Sequence, residues 1–204
     1  MRRGWSILFL LVLIALPART DGAEKIKEPA TGIEFDATLD GGYALLGVGV
    51  RKKFAFKIYA TALYVKVPDA VGPLKAAKTP FGPIVRGTFP RKMILHFVMS
   101  VPGIKAKSTF RKNFDRVMTP EDQAKCVEDR ARYLDAMGGD IEKGQRYLMD
   151  YEGGRVRVYL ADKMVYETDN TTMIQGIFSI WYGPSPLNEE LKQNLVSRVH
   201  NIID

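Results

Sequence analysis

"GVGVRKKFAFKIYATALYV", Gly47 to Val65, decides how the rest of the chain is read. Gly-Val-Gly-Val is strand-like and Ile58–Val65 is a second apolar run. "YALLGVGVRKKFAF" and "KIYATALYVKV" therefore read as the two arms of a hairpin. Arg51 closes the first run and Tyr59 opens the second. A guanidinium cannot shed its charge, so burying its head requires a partner anion, from the chain or from a ligand. On the second arm Tyr59, Thr61, Leu63, Val65 and Val67 share one face, while Ile58, Ala60, Ala62 and Tyr64 share the other. Small Ala60 and Ala62 predict close packing, most simply by a helix. Two readings of the opposite face stay open. Tyr59 is a core tyrosine with one internal hydrogen-bond partner, or its hydroxyl and Arg51 converge on an anionic head group above an apolar wall.

Working outward, "GIEFDATL" before the hairpin alternates Ile33, Phe35, Ala37 and Leu39 with polar neighbours, a half-buried strand. Asp40-Gly41-Gly42 is a turn. Residues 68–90 carry Pro68, Pro73, Pro80, Pro83 and Pro90 and read as an irregular connection. "RKMILHFVMSV" is a further strand, ended by Pro102-Gly103. Ala106, Phe110, Phe114 and Val117 then recur at helical spacing. Thr119 ahead of Pro120-Glu121-Asp122 starts another helix, expected to run to Gly138-Gly139. "RYLMDYEGGRVRVYLADKMVYE" is a three-stranded meander. Met173–Tyr182 is a helix closed by Gly183-Pro184, and Leu187, Leu191, Leu195 and Val199 stripe a last one. Short turns between neighbouring strands imply antiparallel pairing. The fold class is α+β: a large antiparallel sheet with helices layered on one face.

Composition narrows the function. A chain of 204 residues, 46 % hydrophobic and 26 % charged, holds one domain with a real core. "MRRGWSILFLLVLIALPA" has the charged start, apolar middle and small-residue exit of a secretory signal. We expect a signal peptide over residues 1–23, cleaved after Ala18 or Ala23, a tether over 24–31 and the domain over 32–204. Export to the periplasm or medium follows, with membrane association only through an uncleaved N-terminus. The net charge of +7 comes from scattered residues, and with no basic–aromatic patch nucleic acid is not an expected partner. Cys126 is the sole cysteine, which excludes an intramolecular disulfide; His96 and His200 stand far apart, so no Cys/His metal site is expected. No cofactor motif is present: Gly47-Val48-Gly49 lacks the third glycine and the helix of a dinucleotide loop. His96 lies mid-strand, and no Gly-x-Ser-x-Gly elbow accompanies it.

"ATGIEF", "LLGVGVRKKFAFKIYATALYV", "KMILHFVMSVPG" and "NTTMIQGIFSIWYGPSP" resemble the chalcone isomerase-like family, across residues 31–204. The resemblance implies a large antiparallel sheet, helices on one face and a ligand cleft between. Members include plant chalcone–flavanone isomerases, plant fatty-acid-binding proteins and bacterial relatives. In the isomerases a phenolate adds to an enone of the same molecule, helped by an arginine and hydroxyl groups. That arginine corresponds to Arg51. The isomerase threonine on the next strand is Tyr59 here, which resembles the fatty-acid-binding branch, where an arginine and a tyrosine hold a carboxylate. Helix positions that are tyrosine, lysine and asparagine in the isomerases are Ala106, Thr109 and Asn113. A Thr-Met pair of some isomerases is similar to Thr172-Met173. The resemblance thus implies an exported binding protein for a fatty acid or similar apolar carboxylate, with Arg51, Tyr59, Thr61, Asn113, Thr172 and Met173 as ligand-binding candidates. The alternative is an isomerase with intramolecular lyase chemistry, carried by Arg51, Tyr59, Asn113 and Thr172. A third reading is a structural or interaction protein in which Arg51 pairs with Asp36 or Glu167.

Overall fold

The computed structural model describes residues 24–204, so the expected signal peptide and its cleavage site lie outside the described residues. In chain order the elements are β1 (Lys25–Lys27), β2 (Glu34–Asp36), β3 (Thr38–Leu39), β4 (Tyr43–Lys53), β5 (Phe56–Lys66), α1 (Val67–Ala76), α2 (Phe81–Arg86), β6 (Arg91–Phe97), α3 (Gly103–Val117), α4 (Pro120–Ala124), α5 (Val127–Ala136), β7 (Arg146–Glu152), β8 (Arg155–Leu160), β9 (Lys163–Thr168), α6 (Thr171–Tyr182), α7 (Glu189–Asn194) and α8 (His200–Ile203). Strands β3 to β9 form one antiparallel sheet in sequence order. Every neighbour in the sheet is a neighbour in the chain, and helices fill the connections after β5, β6 and β9. The α+β architecture is the one the strand and turn pattern predicts.

The main core lies between the sheet and the helices. Leu63, Val65, Met93, Leu95 and Tyr147 from the strands meet Met173, Ile177, Phe178 and Trp181 of α6. Helix α6 buries eight of its 12 residues, so it is the central helix, not a half-exposed one. Asn170 caps it by accepting a bond from the Met173 amide at 3.1 Å. Helix α7 reaches the sheet through Gly47 and Gly49. A Cβ on Gly47 would stand 2.2 Å from the Asn194 carbonyl oxygen. Only hydrogen fits there.

Several sequence expectations need correction. Residues 24–31 are not a tether: β1 pairs with β2 in a separate two-stranded sheet, and buried Glu28 accepts bonds from the Ala30 and Thr31 amides. "GIEFDATL" is accordingly split between two sheets. This small sheet, not a helix, covers Ala60 and Ala62, with Phe35, Tyr64 and Ile94 in a second core. The proline-rich 68–90 segment holds most of α1 and all of α2; Pro68 falls in the first turn of α1, where no amide is needed, and Pro73 is accommodated inside the helix. The helix begun at Thr119 breaks at Lys125–Cys126 into α4 and α5, and the last helix breaks after Asn194.

Candidate functional site

Arg51 and Tyr59 are cross-strand partners at the outer end of β4 and β5. The register slips there: Arg51 faces Tyr59 but Lys52 faces Lys57, leaving Ile58 as an extra residue. A bulge of this kind turns two successive side chains toward one face. Ile58 and Tyr59 consequently both line a cavity between the sheet and α3, together with Arg51. Its volume is about 280 Å³, near the small end of ligand pockets, which run from roughly 300 to 1,000 Å³.

The wall is apolar: Leu95 and Phe97 from β6, Ala106 and Phe110 from α3, Val101, Ile141 and Leu187 from connections. Tyr59 packs edge-on against Phe97 with ring centroids 5.5 Å apart. Polar groups are few. Ala106, Thr109 and Asn113 repeat at helical spacing and all line the cavity. Buried Asn113 makes no side-chain hydrogen bond among the described residues, so its amide is open to the cavity.

The Trp181 indole donates to the Tyr59 hydroxyl at 3.1 Å. An indole nitrogen can only donate, so the tyrosine oxygen is the acceptor and its own proton remains to be given elsewhere. Burial raises the Tyr59 pKa to about 12, against smaller lowering effects of the Trp181 bond and the Arg51 charge. The phenol is therefore neutral and a donor at physiological pH.

Arg51 is half-buried and spends one hydrogen bond on the Lys52 carbonyl, at 2.7 Å. No ion pair neutralises it among the described residues. Asp36 pairs with Lys25, and Glu167 with Arg155 and Arg157. The expected pairing of Arg51 with either acid is thereby overturned. Arg116, outside the lining, is a second cation felt by Arg51: shielding from water and then the Arg51 charge push its pKa down, and its Nε donates to the Ser185 carbonyl. Lys53 and Lys105 also line the opening. No carboxylate and no histidine is among the lining residues.

Arg51, Tyr59 and Asn113 thus meet at one cavity, and three other sequence candidates do not. Thr61 is fully buried two residue pairs further along, its hydroxyl without a hydrogen-bond partner among the described residues. Met173 lies in the main core. Thr172, at the start of α6, is outside the cavity, because that helix reaches it only through Trp181 near its other end. Trp181, Lys53 and Lys105 are the residues that sequence reasoning missed. In a helix as largely buried as α6 nothing marks one aromatic as a site residue, whereas the helical register from Asn113 does mark the Lys105–Ala106 end. His96 is half-buried in β6, its pKa lowered by burial and then by Arg146, and it does not line the cavity. Among the described residues no group of His, Cys, Asp and Glu is placed to hold a metal ion.

Residues 30–197 match the chalcone isomerase-like family, and the chain belongs to that family. No curated protein matches the sequence. Among solved structures, a fatty-acid binding protein of Arabidopsis thaliana superposes with a TM-score of 0.70. It shares 16 % identity, over 88 % of this chain and 99 % of that one, so the likeness is one of fold.

Proposed function

We propose that this member of the chalcone isomerase-like family is an exported binding protein for a fatty acid or another small apolar carboxylate. One observation carries the reading. Among the described residues Arg51 stands without an internal counter-ion, at the edge of an apolar cavity into which Tyr59 has a proton to donate. A carboxylate would accept from the guanidinium and the phenol, while its tail meets Leu95, Phe97 and Phe110. That the Arabidopsis neighbour is a fatty-acid binding protein agrees with this reading, and the signal-like N-terminus supports export.

Isomerase chemistry is the second reading, because Arg51 and the Tyr59 hydroxyl are also suited to stabilise a developing oxyanion. Against it, the cavity lining holds no carboxylate and no histidine to move a proton near neutral pH. Native mass spectrometry of the gently purified protein separates the two. We expect co-purified fatty acid, absent from the Arg51→Ala variant. Flavanone formation from a chalcone above the spontaneous rate, with no bound acid, would instead select the isomerase. Terminal sequencing of protein recovered outside the cytoplasm would test export; an intact Met1 there would count against cleavage.

A further inference from the structure

The β4–β5 tip extends past the cavity and carries side chains that folding does not require. Phe54 is 90 % exposed and Phe56 63 % exposed. Phe54 also has φ 54°, the left-handed region where a bulky side chain is disfavoured and glycine or asparagine would serve better. Phe56 pairs with Lys53, and paired side chains share a face, so Phe56 points the way Lys53 does, toward the cavity opening. Across that opening Ile104, on the first turn of α3, is 78 % exposed beside Lys105. Three isolated apolar side chains therefore stand on one rim.

The charge of the hairpin tip is of one sign. Lys53 and Lys105 line the opening, while Lys52 and Lys57 pair on the opposite face of the same tip, where Lys57 donates to the Ala30 carbonyl; none of the four forms an ion pair among the described residues. Lysines elsewhere do pair, as Lys107 with Asp135 and Lys92 with Asp150. Two exposed acids stand on the α3 side of the opening, where Asp140 accepts from the Gly103 amide and Glu142 from the Ser100 hydroxyl, so the positive charge is concentrated on the hairpin tip.

From this rim we propose that the cavity mouth docks onto an anionic phospholipid bilayer, with Phe54, Phe56 and Ile104 entering the interface and the lysines meeting lipid phosphates. Apolar side chains spaced along a cationic loop tip suit a fluid, anionic surface that adapts to them. A protein partner would call for a contiguous apolar patch, which this rim does not offer. Docking goes beyond the ligand reading, because it needs no occupant in the cavity. It would let an apolar ligand pass between bilayer and cavity without crossing water.

The test uses the full chain with an environment-sensitive fluorophore on a cysteine introduced by Phe54→Cys. Asp40→Cys, in the β3–β4 turn at the opposite end of the sheet, is the control. The native Cys126 is buried and escapes labelling. With phosphatidylglycerol vesicles free of fatty acid, emission at position 54 should shift to the blue while position 40 stays aqueous. Adding Lys52→Glu and Lys57→Glu should weaken the response about tenfold or more, and raised salt should weaken it too. Four outcomes overturn the proposal: no shift at position 54, equal shifts at both positions, equal shifts with uncharged phosphatidylcholine, or a label already dry before vesicles are added. The last would mean that residues 1–23 cover the rim. Fatty-acid titration is read separately, so loss of the ligand reading and loss of docking remain distinguishable.

Discussion

Arg91 and Arg51, in the same sheet, lack a carboxylate partner among the described residues and solve the problem in opposite ways. Arg91, in β6, is fully buried between the rings of Tyr151 and Phe178, 4.0 and 4.1 Å from its guanidinium carbon. Its Nη1 donates to the carbonyls of Gly87 and Phe89 at 2.9 and 3.1 Å, leaving only Nε without a partner. Burial lowers its pKa to about 10, still far above neutrality, so the charge persists inside the core. Arg51, at the other end of the helix-covered face, has one carbonyl and open space. Ring faces and carbonyls complete the first cation and make it structural. The second is incomplete without an anion. Burial alone does not mark a binding arginine; unfinished hydrogen bonding beside a cavity does.

The largest effect should break the structural half of this comparison. Arg91→Ala removes a large core side chain and three cation–π contacts, with Phe89, Tyr151 and Phe178, and we expect about 3–5 kcal/mol less stability in urea denaturation. Arg91→Met fills the space without charge and should recover most of that loss. Equal damage from both variants would mean that the charge itself holds the core. Neither should alter ligand affinity in protein that remains folded.

At Arg51 the pattern should invert. Arg51→Ala should leave stability within about 0.5 kcal/mol, as for a residue not packed in the core. Affinity for a fluorescent fatty acid should fall about tenfold to a hundredfold, the worth of a charge-assisted hydrogen bond. Arg51→Lys should lose about tenfold, since an ammonium cannot form the planar two-pronged contact. A lysine variant binding as tightly as the parent would rule out that geometry.

The sequence carried one arginine legibly and hid the other. Arg51 stands out because it interrupts a strand before a turn. Arg91 begins its strand next to Pro90 and Lys92 and reads as an exposed end, and only the packing of Tyr151 and Phe178 from distant elements reveals it. The same limit governs the fold. Strands β4 to β9 were readable from alternation and turn residues. Strand β1 was not, since its three residues owe their form to pairing with β2 and to Phe35 and Ile26 packing. Helix α1 hides behind its prolines because composition does not tell a first-turn proline from a breaker. Within the site, Arg51, Tyr59 and Asn113 followed from pattern and resemblance, whereas Trp181 depends on the approach of α6 to the sheet end.

The smallest effects test the hydroxyl beside Arg51. Tyr59→Phe removes one neutral hydrogen bond to the ligand and leaves the Trp181 indole unpaired. We expect about fivefold weaker binding and about 1–2 kcal/mol less stability. The pH profile then separates a donor phenol from an acting phenolate. The Tyr59 pKa is raised to about 12 from an ordinary 10, so the folded protein keeps the proton where an unfolded chain would begin to lose it. The sign is that of a destabilisation growing between about pH 10 and 12, with no contribution at lower pH. Binding through the neutral phenol and the Arg51 cation should therefore be flat from about pH 6 to 9, while the ligand stays ionised. Weakening as pH falls below about 5 would report protonation of the ligand's own carboxyl group. A decline between pH 8 and 10 in the parent, missing from Tyr59→Phe, would show that the phenol ionises near its ordinary value. It would then repel the carboxylate instead of donating to it, and the division of labour between Arg51 and Tyr59 would have to be abandoned.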